Sequence, residues 1–140
     1  MSTRNGAAVR FIEEFARNSA EGRIGELMAQ FAESFLYAGP QGSQWVRASD
    51  FALALPKRKE LFDSAGHKST ELSDAQETWL DGRYALVRTR WRFAFQRGLP
   101  ESAIIETESS FLVDVGAEPF RILTYLSHQD IVEMLRQRDS

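Results

Sequence analysis

Apolar and polar residues alternate with period two for most of the stretch between Glu71 and Gln96. Beyond Asp81-Gly82, Ala85, Val87, Thr89, Trp91, Phe93 and Phe95 fall on one side, and Tyr84, Leu86, Arg88, Arg90 and Arg92 on the other. This predicts a long hairpin with one aromatic face and one arginine face. Such a strand suits a strongly curved sheet wrapped around an internal core or cavity. Upstream the period is helical. Ala8, Phe11, Ile12 and Phe15 predict a helix over about 5–18, and Ile24, Leu27, Met28 and Phe31 repeat the spacing after a break at 19–22. Residues 34–37 read as a short strand, ended by the loop signal Gly39-Pro40-Gln41-Gly42-Ser43. Ser49 or Asp50 caps a third helix reaching Ala65, with Phe51, Leu55, Arg58, Leu61 and Phe62 on one side and Gly66 as its C-cap. Pro56 inside it predicts a kink or a division into two short helices. Strands at about 69–80, 83–96, 102–115 and 119–128 follow, and a final helix over 130–138 places Ile131, Met134 and Leu135 together. The order is that of an α+β fold.

Four stretches carry a family resemblance: Phe31-Ala32-Glu33-Ser34-Phe35-Leu36-Tyr37-Ala38-Gly39-Pro40, Val46-Arg47-Ala48-Ser49-Asp50-Phe51, Leu80-Asp81-Gly82-Arg83-Tyr84-Ala85-Leu86-Val87-Arg88, and Phe120-Arg121-Ile122-Leu123 through Ser127-His128. Together they resemble the NTF2-like superfamily, specifically its SnoaL-like branch, over nearly the whole chain, so that 1–140 is expected to be a single domain. The resemblance implies a cone-shaped fold, with N-terminal helices packed on a strongly curved, mostly antiparallel sheet around a funnel pocket. It also implies a dimer through the outer sheet face. That fold hosts isomerases, dehydratases, cyclases, hydrolases and non-catalytic binding domains, so it does not choose a reaction. No motif here matches the tyrosine and aspartate pair of the ketosteroid isomerases, and no two histidines stand where a dehydratase of the superfamily needs them. No family catalytic residue carries over.

Composition narrows the classes. The 140 residues, 43% hydrophobic, are enough for one core. A net charge of -3 without a basic run lacks the electrostatic footprint of a nucleic-acid binder. The absence of cysteine removes thiolate chemistry and disulfides. No apolar run approaches the roughly 18 residues that cross a bilayer, and the N-terminus lacks a signal-like apolar segment, so a cytoplasmic protein without membrane contact is expected. Two distant histidines and no carboxylate cluster argue against a metal site, and no cofactor is called for.

Candidate chemistry depends on the hairpin register. A two-residue turn at Asp81-Gly82 pairs Trp79 with Tyr84, Gln76 with Val87, Asp74 with Thr89 and Leu72 with Trp91, which turns Asp74 and Gln76 into the funnel. A three-residue loop with a bulge at Gly82 turns both outward. The first register is favoured because it sets Glu71 opposite Arg92. Asp74 is then the candidate general base, its carboxyl raised by apolar neighbours. Tyr37, Trp45, Gln76, Thr89, Trp91, Thr107, Ser109, Thr124 and His128 are the candidate substrate-binding residues. The loop at 39–43 is the candidate lid, carrying Trp45 over the pocket mouth. On the outer face Glu106 and Glu108 match the arginines in a cross-strand network. Trp79, Tyr84, Leu86, Ile104, Leu112, Leu123 and Tyr125 are expected beside it, as a homodimer surface. Three functions fit: an acid/base enzyme on a small apolar substrate, a non-catalytic binder of such a molecule, and a dimeric interaction protein with a filled pocket.

Overall fold

The structure, a computed structural model, describes residues 6–96 and 102–138. The predicted helix start at Asn5 lies outside them. The order is α1 (Ala7–Ala20), α2 (Ile24–Ala29), β1 (Phe31–Gly39), β2 (Gly42–Arg47), α3 (Ala48–Ser64), β3 (His67–Trp79), β4 (Tyr84–Gln96), β5 (Ser102–Asp114), β6 (Arg121–Ser127) and α4 (Ile131–Arg138). The strands form one sheet in the order β2-β1-β6-β5-β4-β3, antiparallel except where β1 runs parallel to β6. No helix among the described residues is long and apolar enough to cross a membrane.

The alternation in β4 and β5 is realised as read. Ala85, Val87, Thr89, Trp91, Phe93 and Phe95 are all buried, as are Ile105, Thr107, Ser109, Phe111 and Val113 across from them on β5. Helix α1 covers this inner face. Phe15 sets its ring edge-on to Phe31, Trp91, Phe111 and Tyr125 at centroid distances of 5.3–6.4 Å. Such pairs contribute about 0.5–1.5 kcal/mol each beyond area burial. Helix α3 packs against β1, β2 and β3. Its Phe51 meets Phe31 and Phe35, and its Phe62 meets Phe93 and Phe95. One core stripe thus runs along α3 through Phe51, Leu55 and Phe62, while Arg58 is exposed.

Several local expectations need correction. Phe31 does not end α2. It opens β1, which is longer than the predicted strand because Phe31 and Phe35 both bury on the inner side. The loop at 39–43 contracts to a tight hairpin turn, and an unpredicted edge strand, β2, follows it. Helix α3 continues through Pro56 without division, the proline standing on its exposed side. Gly66, at φ +86°, ends the helix turn so closely against β4 that an added Cβ would fall on the Gln96 carbonyl oxygen.

The turn between β3 and β4 decides the most. Asp81 Oδ1 accepts hydrogen bonds from the backbone N–H groups of Arg83 (2.8 Å) and Tyr84 (2.9 Å). This opens the connection to residues 80–83 and replaces the two-residue turn. Trp79 therefore pairs with Ala85, Gln76 with Arg88 and Asp74 with Arg90. Ser73 is then an extra residue that shifts the register back, so Leu72 meets Trp91 and Glu71 meets Arg92 as expected. Between turn and bulge the parity is inverted: Asp74 and Gln76 are exposed, and Ala75, Glu77 and Trp79 point inward. A bulge on β6 between Ile122 and Thr124 does the same there, turning Thr124 outward beside Leu112 and Tyr125 inward beside Phe111. Trp79 and Tyr125 thus leave the outer face to which the alternation assigned them.

Candidate functional site

Polar groups on the inner face fall into two sets, those that satisfy one another and those that do not. In the first set stands Glu77, buried at 7% exposure, the residue that the inverted register brings inside. Its Oε1 accepts a hydrogen bond from the backbone N–H of Val9 (2.8 Å), in the first turn of α1, and its Oε2 one from Trp79 Nε1 (2.7 Å). A carboxylate at the positive end of a helix dipole caps orphan donors from outside the helix. This matters because Gly6, at the N-cap of α1, offers no side-chain hydrogen bond. Thr89, Trp91 and Ser109 form a second closed group. The Thr89 hydroxyl lies 2.7 Å from the Ser109 hydroxyl, and Trp91 Nε1 donates to both, at 2.8 and 2.9 Å. These groups hold the core together and have little left to offer a ligand.

The second set lies toward α3. Tyr37 and Tyr125 are directly paired across β1 and β6, with ring centroids 5.5 Å apart. Both keep partial solvent exposure, and neither hydroxyl has a hydrogen-bond partner among the described residues. Burial pushes the Tyr125 phenol above its ordinary pKa, partly offset by the positive charge of Arg58. It therefore stays protonated at neutral pH and can donate. Arg58, exposed on α3, holds its guanidinium carbon 4.7 Å from the Phe62 ring centroid. It forms no ion pair among the described residues. His67, at the start of β3, stacks near Phe62 and shares a 2.7 Å hydrogen bond with the Thr70 hydroxyl. Burial is the largest influence on its ring and lowers its pKa, with Arg58 adding to the effect, so it is neutral at pH 7.

The structure brings Tyr37, Thr89, Trp91, Thr107 and Ser109 together on the inner face, and it places the other five candidates elsewhere. Asp74 is exposed opposite Arg90, with Gln76 Nε2 at 3.4 Å from its carboxylate. It borders an open groove of about 510 Å³ between α1 and β3, lined also by Glu13, Arg17, Leu72 and Ser73. Its apolar neighbourhood, the premise of the general-base role, is absent because the longer turn reversed its facing. Gln76 shares that reversal, and Thr124 faces outward because of the β6 bulge. Trp45, at 73% exposure, pairs with Leu36 on the outer side of edge strand β2, away from the inner face. His128 is exposed and meets Ser110, an outer-face residue of β5, at 3.0 Å. The outer charge network matches expectation: Arg88 and Arg90 reach Glu108 at 3.4 and 3.2 Å, and Arg92 reaches Glu106 at 3.6 Å. Sequence reasoning set Tyr125 on the outer face, because its inward turn comes only with the β6 bulge.

No family model matches the chain, and no curated protein does. Solved structures do. A protein from Novosphingobium aromaticivorans described as NTF2-like with a cystatin-like fold superposes with a TM-score of 0.68 at 13% identity, covering 96% of this chain and 97% of that one. The chain has the NTF2-like fold. The β subunit of benzoate 1,2-dioxygenase from Burkholderia mallei shares the same cone, with a TM-score of 0.70 at 12% identity over 96% of each chain. So does a putative polyketide cyclase from Xanthomonas campestris pv. campestris, with a TM-score of 0.59 at 17% identity over 93% of this chain and 95% of that one. At these identities the likeness concerns architecture. The tyrosine pair lies on the inner face of the NTF2-like cone, and Glu77 fastens the helix that fills it.

The anchoring role of Glu77 has a direct test. Replacing it with alanine strips an acceptor from Val9 N–H and Trp79 Nε1 and is expected to cost about 2–4 kcal/mol in urea unfolding. Glu71→Ala, at an exposed pair, is expected to stay within about 0.5 kcal/mol. Equal costs for the two variants would show that Glu77 does not hold α1.

Proposed function

We propose that the protein is a binding module for a small, largely apolar molecule, received on the inner face of the cone between α3 and the tyrosine pair. The observation that carries this reading is the contrast between the two polar sets. Thr89, Trp91, Ser109 and Glu77 are satisfied internally, while the Tyr37 and Tyr125 hydroxyls are solvent-reachable and unpartnered among the described residues. Aromatic walls with a few convergent donors are what a small-molecule site uses for orientation. The closed sets contain no carboxylate open to a substrate, which favours affinity over acid/base turnover. A second reading, an enzyme of the SnoaL-like kind, draws on His67 as a neutral base and Tyr125 as a proton donor. It is supported by the likeness to the putative polyketide cyclase.

Native mass spectrometry of the freshly purified protein, followed by a panel of small aromatic ketones and alcohols, tests the proposal. Wild-type protein is expected to retain or take up one such molecule per chain. Tyr125→Phe is expected to weaken binding about 2–10-fold, the value of one hydrogen bond, without loss of folding. No uptake of any panel member would contradict the reading, and consumption of a bound compound would favour the enzyme.

We also propose a homodimer through the outer face. Trp45, Leu36, Thr124, Leu112, Leu86 and Thr78 form a continuous row across the sheet, flanked by Ile104 at 52% exposure and the arginine–glutamate network. An apolar row of this extent, rimmed by charges of both signs, suits a two-fold contact. Light scattering at micromolar concentration is expected to give twice the 15.9 kDa chain mass, and Leu86→Asp to give the single mass. A monomeric wild type would refute the dimer.

A further inference from the structure

We infer that the protein carries a second small-molecule site, a cleft that takes a phosphate group where α2, β1 and the start of α3 meet. It does not rest on the binding reading above. Strand β1 pairs with β6 at Phe31 with Ile122 and again at Leu36 with Thr124, so from 31 to 36 it advances five residues while β6, from 122 to 124, advances two. The surplus chain stands out of the ladder. A cleft of about 600 Å³ lies there, and Arg47 from the end of β2 and Arg121 from the start of β6 both line it. Neither arginine forms an ion pair among the described residues. Arg121 is held in place through Nη1, which donates to the carbonyl oxygens of Pro119 (3.3 Å) and Phe120 (3.1 Å), while Arg47 is exposed. Glu33 is the one acidic side chain among the described residues on the cleft wall, which therefore keeps a net positive charge. The backbone adds to it. Ser49, expected as a cap, lies inside the first turn of α3, which begins at Ala48, and no side chain caps this 17-residue helix. Ala48 and Ser49 line the same cleft, so the orphan N–H groups of the helix start border it. Two guanidinium forks and these N–H groups offer more donors than the two oxygens of a carboxylate can use, and a phosphate presents three terminal oxygens. Met28, at 39% exposure, and Phe31 supply an apolar wall for the organic body of a phosphate monoester.

Isothermal titration calorimetry of the full chain with phenyl phosphate tests this, with inorganic phosphate as competitor. Wild-type protein is expected to bind one phenyl phosphate per chain, to release it to excess inorganic phosphate, and to bind more weakly as salt is added. Arg47→Gln, at an exposed side chain, is expected to weaken binding about ten-fold, the value of one charge-assisted contact. Ser49→Glu sets a carboxylate in the first turn of α3, where a helix favours one, and is expected to abolish measurable binding without lowering the urea midpoint. Lys57→Gln removes a positive charge from an exposed position of α3 outside the cleft and is expected to change the affinity by less than about two-fold. Absence of phenyl phosphate binding would overturn the inference, as would an equal loss in Lys57→Gln and Arg47→Gln. Binding that survives in both Arg47→Gln and Ser49→Glu would also overturn it, assigning the compound to the cone and leaving the binding reading standing.

Discussion

A buried carboxylate that cannot remain unpaired sets the arrangement of this cone. Glu77 lies inside the sheet because the turn held by Asp81 is longer than two residues, and once inside it must find donors. It finds them in the first turn of α1 and in the Trp79 indole. That grip fixes where α1 enters the inner face, and so where Phe15 lands among Trp91, Phe111 and Tyr125. The Ser73 bulge is the complement of the long turn. It restores parity so that Leu72 and Thr70 face the same way as their β4 partners Trp91 and Phe93.

From this follows the division of labour on the inner face. Near β3 and β4 the Thr89, Trp91 and Ser109 side chains serve the fold, tying neighbouring strands together in a low-dielectric setting where an unmade bond is costly. Toward β1 and β6 the Tyr37 and Tyr125 hydroxyls have no hydrogen-bond partner among the described residues. Under the binding reading proposed above, stability and recognition occupy different parts of one concave surface.

Much of the fold was legible in the sequence, because β4 and β5 bury one face almost completely and their period of two is unbroken from Ala85 to Phe95. The Arg88, Arg90 and Arg92 network with Glu106 and Glu108 followed from the same alternation. Reading failed where the alternation was interrupted by single residues. Ser73 and Leu123 are ordinary strand residues with nothing in their chemistry to mark a bulge, yet Ser73 ends the inversion that the long turn imposes on Asp74 and Gln76, and Leu123 reverses the facing of Thr124 and Tyr125. Edge strand β2 was invisible because its residues are mostly exposed, leaving no apolar period. Trp45 drew attention by its size, but an aromatic on an edge strand is as free to face outward as inward. The proposed site was therefore half visible: its aromatic walls came from the pattern, while the inward facing of Tyr125 came only from the register.

Everything above turns on the facing of β3, and the chain's lack of cysteine makes that facing measurable. Single cysteines placed in turn at Asp74, Ala75 and Gln76 can be labelled with a maleimide in the folded protein and their rates compared with the same variants unfolded. The account predicts fast labelling at the exposed 74 and 76 and slower labelling at the half-buried 75. Protection at 74 and 76 with fast labelling at 75 would contradict it, returning Asp74 to the inside of the cone and Glu77 to the surface.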